Sequence, residues 1–298
     1  MNGKTILFSL FFTFLLLFSF FYFKNGTYFF TISEPVGMVE NHQTSNEMPV
    51  SYENMKVSIV IPAYNEERRI ERTLRAYHAF FAEKQQELGL MCEFVVVLNG
   101  CTDKTIAVVE HVRSDLGGDN IIIIDTPKPG KGCAIKTGFA DALVRNNDLI
   151  GFVDADMATE PAAFFDLIVQ LHESDGADGV IASRYMPGAQ IYPERPLYKR
   201  WGSRIIYEPF VKLFFGLSYY DLQCGAKIFK RPVIRTITPH LTVEQWAFDV
   251  ELLYLCKKYG FDIKEVPTVW RDQEDSKLTL RGGLRMFGAL FKVWWRYF

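Results

Sequence analysis

"DLIGFVDADMATEP", residues 148–161, decides how the whole chain is read. Leu149 to Val153 is an unbroken apolar run, as expected of a strand covered on both faces, and it ends in Asp154 and Asp156 with one alanine between them. On an extended chain these carboxylates project to the same side. Like charges at a strand mouth repel unless something positive sits between them. A hard divalent cation suits such a pair, because Mg2+ and Mn2+ take oxygen ligands and leave positions for substrate phosphates. No His or Cys cluster competes for a softer metal. An isolated Asp-x-Asp is common as a solvated turn, so the surroundings must decide.

Upstream, apolar runs and amphipathic stretches alternate. "VSIVIP" from Val57 reads as a strand and Glu66 to Phe81 as a helix. "EFVVVL" follows as a strand, then a helix opening at Thr102 or Asp103 and running to about Arg113, the strand "IIIID", and a helix from Lys131 to Arg145. That alternation predicts an α/β domain: a Rossmann-like, mostly parallel sheet flanked by helices, with ligands bound outside the carboxyl ends of the strands. The distinctive polar residues gather at those ends: Pro62-Ala63-Tyr64-Asn65-Glu66, Asn99 to Asp103, Pro129 to Gly132, and Asp154-Ala155-Asp156. No Gly-x-Gly-x-x-Gly and no Gly-Lys-Ser/Thr loop follows the first strand, which speaks against a dinucleotide-binding protein or a P-loop NTPase. Beyond Ser183 come a connector rich in Pro, Arg and Tyr and an aromatic helix near Ile205 to Phe215. The sheet element "CGAKIFK", a helix in "EQWAFDVELLYLCKKYG" and the strand "DIKEVPTVW" follow, all read as an acceptor-side elaboration of one domain.

The net charge of −2 offers nothing to nucleic acid. Five scattered cysteines without Cys-x-x-Cys spacing suit a reducing compartment better than a disulfide framework or a zinc site. Both ends of the chain point to a membrane. Ile6 to Phe23 is uncharged for eighteen residues, about 27 Å as a helix and close to the bilayer's hydrocarbon thickness. A cleaved signal peptide is the rival reading, but the run ends in Phe-Tyr-Phe-Lys without a small-residue cleavage site. Residues 1–30 are thus expected to anchor the chain and 31–55 to act as a linker. At the other end, Leu284, Phe287, Phe291, Trp294 and Phe298 share a helical face, while Arg281, Arg285, Lys292 and Arg296 line another. A basic amphipathic helix over 281–298 fits the membrane interface; the alternative is a terminal helix packed on the domain.

Together "VSIVIPAYNEE", "NGCTDKT", "GKGCAIKTG" and "DAD" resemble family 2 glycosyltransferases of the GT-A fold, here over 56–280. "SRYMPG", "DLQCGAKIFKR", "WAFDVELLY" and "EVPTVWRDQEDSKL" narrow the likeness to polyprenyl-phosphate glycosyltransferases, the dolichyl-phosphate β-glucosyltransferases in particular. The resemblance implies an inverting transfer, with UDP-glucose the favoured donor and a polyprenyl or dolichyl phosphate the acceptor. It implies a single-pass membrane protein whose catalytic domain faces the cytosol, in the endoplasmic reticulum or a prokaryotic cytoplasmic membrane. Pro62, Tyr64 and Glu66 would cradle base and ribose. Asn99, where the family commonly has Asp, would read the uracil edge. Lys131 would lie near the nucleotide, with Asp154 near ribose and metal and Asp156 binding the metal directly. Ala158 stands where mannose-synthase relatives carry Gln, which favours the glucosyl branch. Arg184, Lys199 and Ser203 would hold the acceptor phosphate, and Arg271 and Lys277 would close over the donor diphosphate. Asp249 occupies the place of the base in relatives with hydroxyl acceptors, and is expected here to position rather than to abstract a proton. Trp246 either stacks on the sugar or is core. Alternative readings are transfer from GDP-mannose, transfer to a hydroxyl acceptor, and a non-catalytic scaffold.

Overall fold

The computed structural model describes residues 52–193, 208–245, 247–271 and 280–297. The anchor expected over 6–23, together with Lys199, Ser203, Trp246 and Lys277, lies outside the described residues. Among the described residues no helix is long and apolar enough to cross a membrane.

Valine and isoleucine dominate the strands because β-branched side chains pack well on a pleated surface. In β1 (Lys56–Ala63), Val57, Ile59 and Ile61 face one way and Val60 the other, and all four are fully buried. β1 pairs in parallel with β2 (Met91–Asn99) and with β4 (Leu149–Val153), while β2 pairs in parallel with β3 (Ile121–Thr126). On one face lie α1 (Ile70–Leu88), α2 (Thr105–Asp115) and α4 (Pro161–Glu173), each contributing buried apolar residues to a core with Ile59, Phe94 and Val96. On the other face α3 (Lys131–Val144) covers Val60, Val95 and Phe152 through Ile135 and Phe139. Each large apolar side chain so buried contributes about 1.5–3 kcal/mol.

The full sheet has seven strands in the order β3-β2-β1-β4-β7-β5-β8, with β5 (Gly179–Ser183), β7 (Ala226–Lys230) and β8 (Ile263–Pro267) completing it. β7 runs antiparallel to both β4 and β5, so one reversed strand sits inside an otherwise parallel sheet. That insertion brings the turn before β7 to the same edge as Asp154.

Two elements are shorter than their sequence pattern suggests. "DIKEVPTVW" is not one strand: it breaks after Pro267 into β8 and β9 (Val269–Arg271), and β9 pairs with β6 (Gln190–Tyr192) in a separate two-stranded sheet. Proline cannot donate to the ladder, and Thr268 bridges the break, its N–H donating to the Ser183 carbonyl at 3.1 Å and its carbonyl accepting from the Gln190 N–H at 3.0 Å. The helix expected from Glu244 begins only at Phe248 (α7, Phe248–Lys258), because the Glu244 carbonyl accepts from the N–H groups of Gly132 and Cys133 instead.

α5 (Glu208–Phe215) and α6 (Arg231–Ile237) pack with α7 in the second core, joined there by α8 (Leu280–Tyr297). In α8, Leu290, Val293 and Trp294 are buried, Trp294 lies edge-on to Phe214, and the Tyr297 hydroxyl donates to the His240 carbonyl at 3.0 Å. Residues 288–297 therefore pack on the domain, with Lys292, Trp295 and Arg296 turned outward. Of the apolar face expected from spacing, Trp294 is fully inside and Phe291 partly so.

Candidate active site

β1, β2 and β4 end side by side, and the segments beyond them are tied together by short polar contacts. Asn65, in the left-handed region at φ 53°, accepts from the Thr102 N–H at 2.8 Å, and the Glu66 N–H donates to Thr105 Oγ1 at 2.8 Å. The Glu66 carboxylate accepts both Nε and Nη2 of Arg69, at 2.6 and 2.8 Å. Pro62 is half-buried at the strand end and Tyr64 is exposed beside it. Asn99 is only 3% exposed. With its amide oriented to satisfy both ends, its nitrogen donates to the Ala63 carbonyl and its oxygen accepts from the Gly130 N–H at 3.1 Å. Asn99 thus joins β1 to the glycine turn.

Asp154 and Asp156 project from a turn that α1 supports from beneath. Thr73 Oγ1 donates to the Ala155 carbonyl at 2.7 Å and the buried Tyr77 hydroxyl to the Thr159 carbonyl at 2.9 Å. Met157 adopts φ 62°, which bends the chain so that Asp156 Oδ1 accepts from the Ala158 N–H at 3.0 Å. Burial, then the neighbouring Asp154 charge, raises the Asp156 pKa; the Ala158 N–H, Arg69 and Lys131 only partly offset this. Asp154 donates its N–H to the Gly225 carbonyl at 3.0 Å, and its carboxylate lies where a Cβ on Gly225 would be. A Cβ there would displace the Asp154 carboxylate.

The positive group between the acids is, in part, the protein's own. Lys131 opens α3 and its Nζ lies 2.6 Å from Asp154 Oδ1. Burial alone would lower the Lys131 pKa, but the charges of Asp154, Asp249 and Asp156 outweigh it and hold the ammonium above its ordinary value. Gly130, at φ 149°, lets the turn press against the Glu244 carbonyl, where a Cβ would collide.

Two further ion pairs lie behind. Asp249 on α7 accepts from Lys227 Nζ at 2.6 Å, with both side chains almost wholly buried. Arg184 grips Asp221 through Nε and Nη2, at 2.7 and 3.0 Å, and its guanidinium lies near the rings of Tyr185 and Trp270. Burial would raise the Asp221 pKa, but Arg184 and Lys227 hold it below the usual carboxylate range. Arg271, half exposed, donates its N–H to the Ala158 carbonyl at 2.8 Å and pairs with Glu160 at 2.5 Å, which places it over the turn that bears Asp156.

Of the residues expected from sequence, Lys131, Asp154, Asp156 and Arg271 therefore gather around one turn, Asp249 lies behind them on Lys227, and Arg184 stands on the β5 end with its charge matched by Asp221. Lys227, Asp221, Gly225 and Arg69 were not anticipated. Lys227 had a signal: a lysine inside the apolar run "AKIF" of a central strand is tolerated only when paired. For metal, the donor set is two carboxylates; among the described residues no group of three or more His, Cys, Asp or Glu side chains could hold an ion. Two carboxylates, one of them with a raised pKa, fit a Mg2+ or Mn2+ ion whose remaining ligands are phosphate and water.

A sheet of this order, bearing paired acids and a basic turn at its carboxyl edge, is GT-A-like, and solved structures agree. Mannosyl-3-phosphoglycerate synthase from Rubrobacter xylanophilus matches with a TM-score of 0.58 at 17% identity, over 81% of this chain and 73% of that one. A mannosyltransferase from Pyrobaculum calidifontis, in complex with GDP-Man and Mn2+, matches at 0.50 and 15% identity, over 79% and 62%. Residues 58–238 match the glycosyl transferase family 2 model, so the chain belongs to that family and is a glycosyltransferase. It is 34% identical over 254 residues to the dolichyl-phosphate beta-glucosyltransferase of Drosophila melanogaster, covering 82% of this chain and 76% of the relative.

Proposed function

We propose that this protein transfers glucose from UDP-glucose to dolichyl phosphate, or a similar polyprenyl phosphate, with inversion at the anomeric carbon. The observation that carries the reading is the 34% identity with a dolichyl-phosphate beta-glucosyltransferase across nearly the whole described domain.

In this reading Asp154 and Asp156 would hold Mg2+ or Mn2+. Such an ion, when bound, supplies positive charge against the departing diphosphate. Lys131, which meets Asp154, and Arg271, which pairs with Glu160 next to the acid-bearing turn, would add positive charge where the leaving group's charge develops. Pro62 and Tyr64 border the nucleotide, with Glu66 held in place by Arg69. Arg184, with Lys199 and Ser203, receives the acceptor phosphate. That phosphate monoester has a second pKa of about 6, so near neutrality the nucleophile is already ionised and needs no base. Asp249 fits this, since its carboxylate is engaged by the Lys227 ammonium and acts as a positioning group. The apolar run over 6–23 would hold the domain on the cytosolic face of the membrane that carries the lipid acceptor.

The test offers radiolabelled UDP-glucose, UDP-N-acetylglucosamine and GDP-mannose in turn to membranes containing the protein and dolichyl phosphate. Label from UDP-glucose is expected in the organic phase. Lipid labelled only from GDP-mannose would overturn the donor assignment, and no labelled lipid from any donor would overturn the acceptor.

A further inference from the structure

The Asp154–Lys131 pair on the acid turn and the two ion pairs behind it are not independent. The Asp154 carboxylate meets Lys131 at 2.6 Å, and Lys131 in turn feels the Asp249 charge. Asp249 meets Lys227 at 2.6 Å, Lys227 acts on Asp221, and Asp221 meets Arg184 at 2.7 Å. The order is acid, base, acid, base, acid, base, leading from the donor-side carboxylates to the arginine at the end of β5. Lys227 stands near the middle and is wholly buried in β7, opposite Phe152 of β4. The face of the Phe152 ring lies 5.3 Å from its ammonium and 5.7 Å from that of Lys131.

Lys227 has a second bond that matters as much. Its Nζ donates to the Cys224 carbonyl at 2.7 Å. The next residue, Gly225, receives the Asp154 N–H and makes room for the Asp154 carboxylate. One ammonium therefore fixes both the carboxylate on α7 and the turn against which Asp154 rests. A lysine wholly removed from water is costly unless its charge is matched and its protons are bonded, and both conditions are met here. A methionine of similar length would fill the same space more cheaply. Core packing alone therefore does not account for the lysine.

We propose that Lys227 is a positioning residue of the transfer reaction: it sets the Asp249 carboxylate and the Cys224–Gly225 turn, and through them the relative placement of the donor and acceptor groups. Lys227 itself touches neither substrate. The inference rests on the chain being a working transferase, but not on which sugar or lipid it uses.

The test is a cycle of wild type, Lys227→Met, Asp249→Asn and the double variant, assayed with whichever nucleotide sugar the wild type consumes. Misplacement of reacting groups by about 1 Å costs about 100-fold. Lys227→Met is therefore expected to lower kcat by about 100-fold while the donor KM stays within about threefold, and Lys227→Arg to recover about tenfold of the loss. If both residues act as one unit, the double variant turns over no more slowly than the slower single variant. A wild-type kcat in Lys227→Met, or a loss in the double equal to the product of the single losses, overturns the proposal. Should Lys227→Met fail to fold, Lys227→Gln, which also removes the charge, with Asp249→Asn completes the same cycle. A wild type inert towards every donor refutes the transfer reading rather than the coupling. The melting temperatures of the same proteins then decide: the double must melt above Lys227→Met, because Asn removes the unpaired carboxylate, and additive losses overturn the pairing.

Discussion

Gly225→Ala is the smallest change that reaches the acid pair without touching it. The added Cβ would fall on the Asp154 carboxylate, closer to Oδ2 and Cγ than real Cβ atoms come, and 3.0 Å from Oδ1. The turn cannot simply retreat, since the Gly225 carbonyl accepts the Asp154 N–H and the Cys224 carbonyl accepts Lys227 Nζ. Asp154 must rotate, giving up its 2.6 Å contact with Lys131. Losing one charge-assisted bond costs about 1.5–3 kcal/mol, and overpacking strain is of similar size if the turn yields only partly. Because half-exposed Asp154 regains water when it rotates, the lower end applies, about 2 kcal/mol, or about 4–8 °C in Tm for a domain of this size. Turnover should suffer more than stability, falling about 100-fold, because the acid moves by about 1 Å. The assay is steady-state transfer in the wild-type background, alongside calorimetric melting in wild-type and Asp154→Ala backgrounds. In the second background the added methyl has nothing to strike and should change little. Turnover within twofold of wild type, or an equal loss of Tm in both backgrounds, would refute the reasoning.

Asp156→Ala should abolish transfer, by about 1000-fold or more, in a protein that still folds. Without added metal, Asp156→Asn should melt higher than wild type at pH 7. Since its folded pKa is raised, the native state holds the proton longer than the unfolded chain does. Stability therefore falls as pH rises through the window above the ordinary carboxylate value, and the Asn variant should lack that fall; parallel Tm–pH curves would contradict it. Tyr77→Phe removes the hydroxyl under the Thr159 carbonyl and should cost about 1–2 kcal/mol, read in the denaturation midpoint, with an unchanged midpoint speaking against the buried bond.

Much of the site was legible because strand ends in an α/β sheet share an edge, and the polar motifs fall on those ends. Asp154, Asp156 and Lys131 could be placed together from chain order alone. What each polar side chain holds was less accessible. Asn99 carries an amide suited to a base edge, yet burial against Ala63 and Gly130 engages it within the protein. Nothing in "SRY" tells that Arg184 also meets a buried carboxylate thirty-seven residues away. Boundaries moved where backbone groups found distant partners, as when the Glu244 carbonyl accepts from the Gly132 N–H and delays the start of α7.

By itself the sequence determined the alternation of strands and helices, since period and apolar run length are properties of neighbouring residues. It also determined the edge on which the acids must lie. Only the tertiary structure decided the direction of β7 and hence that Lys227 comes to face Asp249. Strand direction within a sheet depends on pairing with β4 and β5, contacts between segments remote along the chain, and no local pattern encodes them.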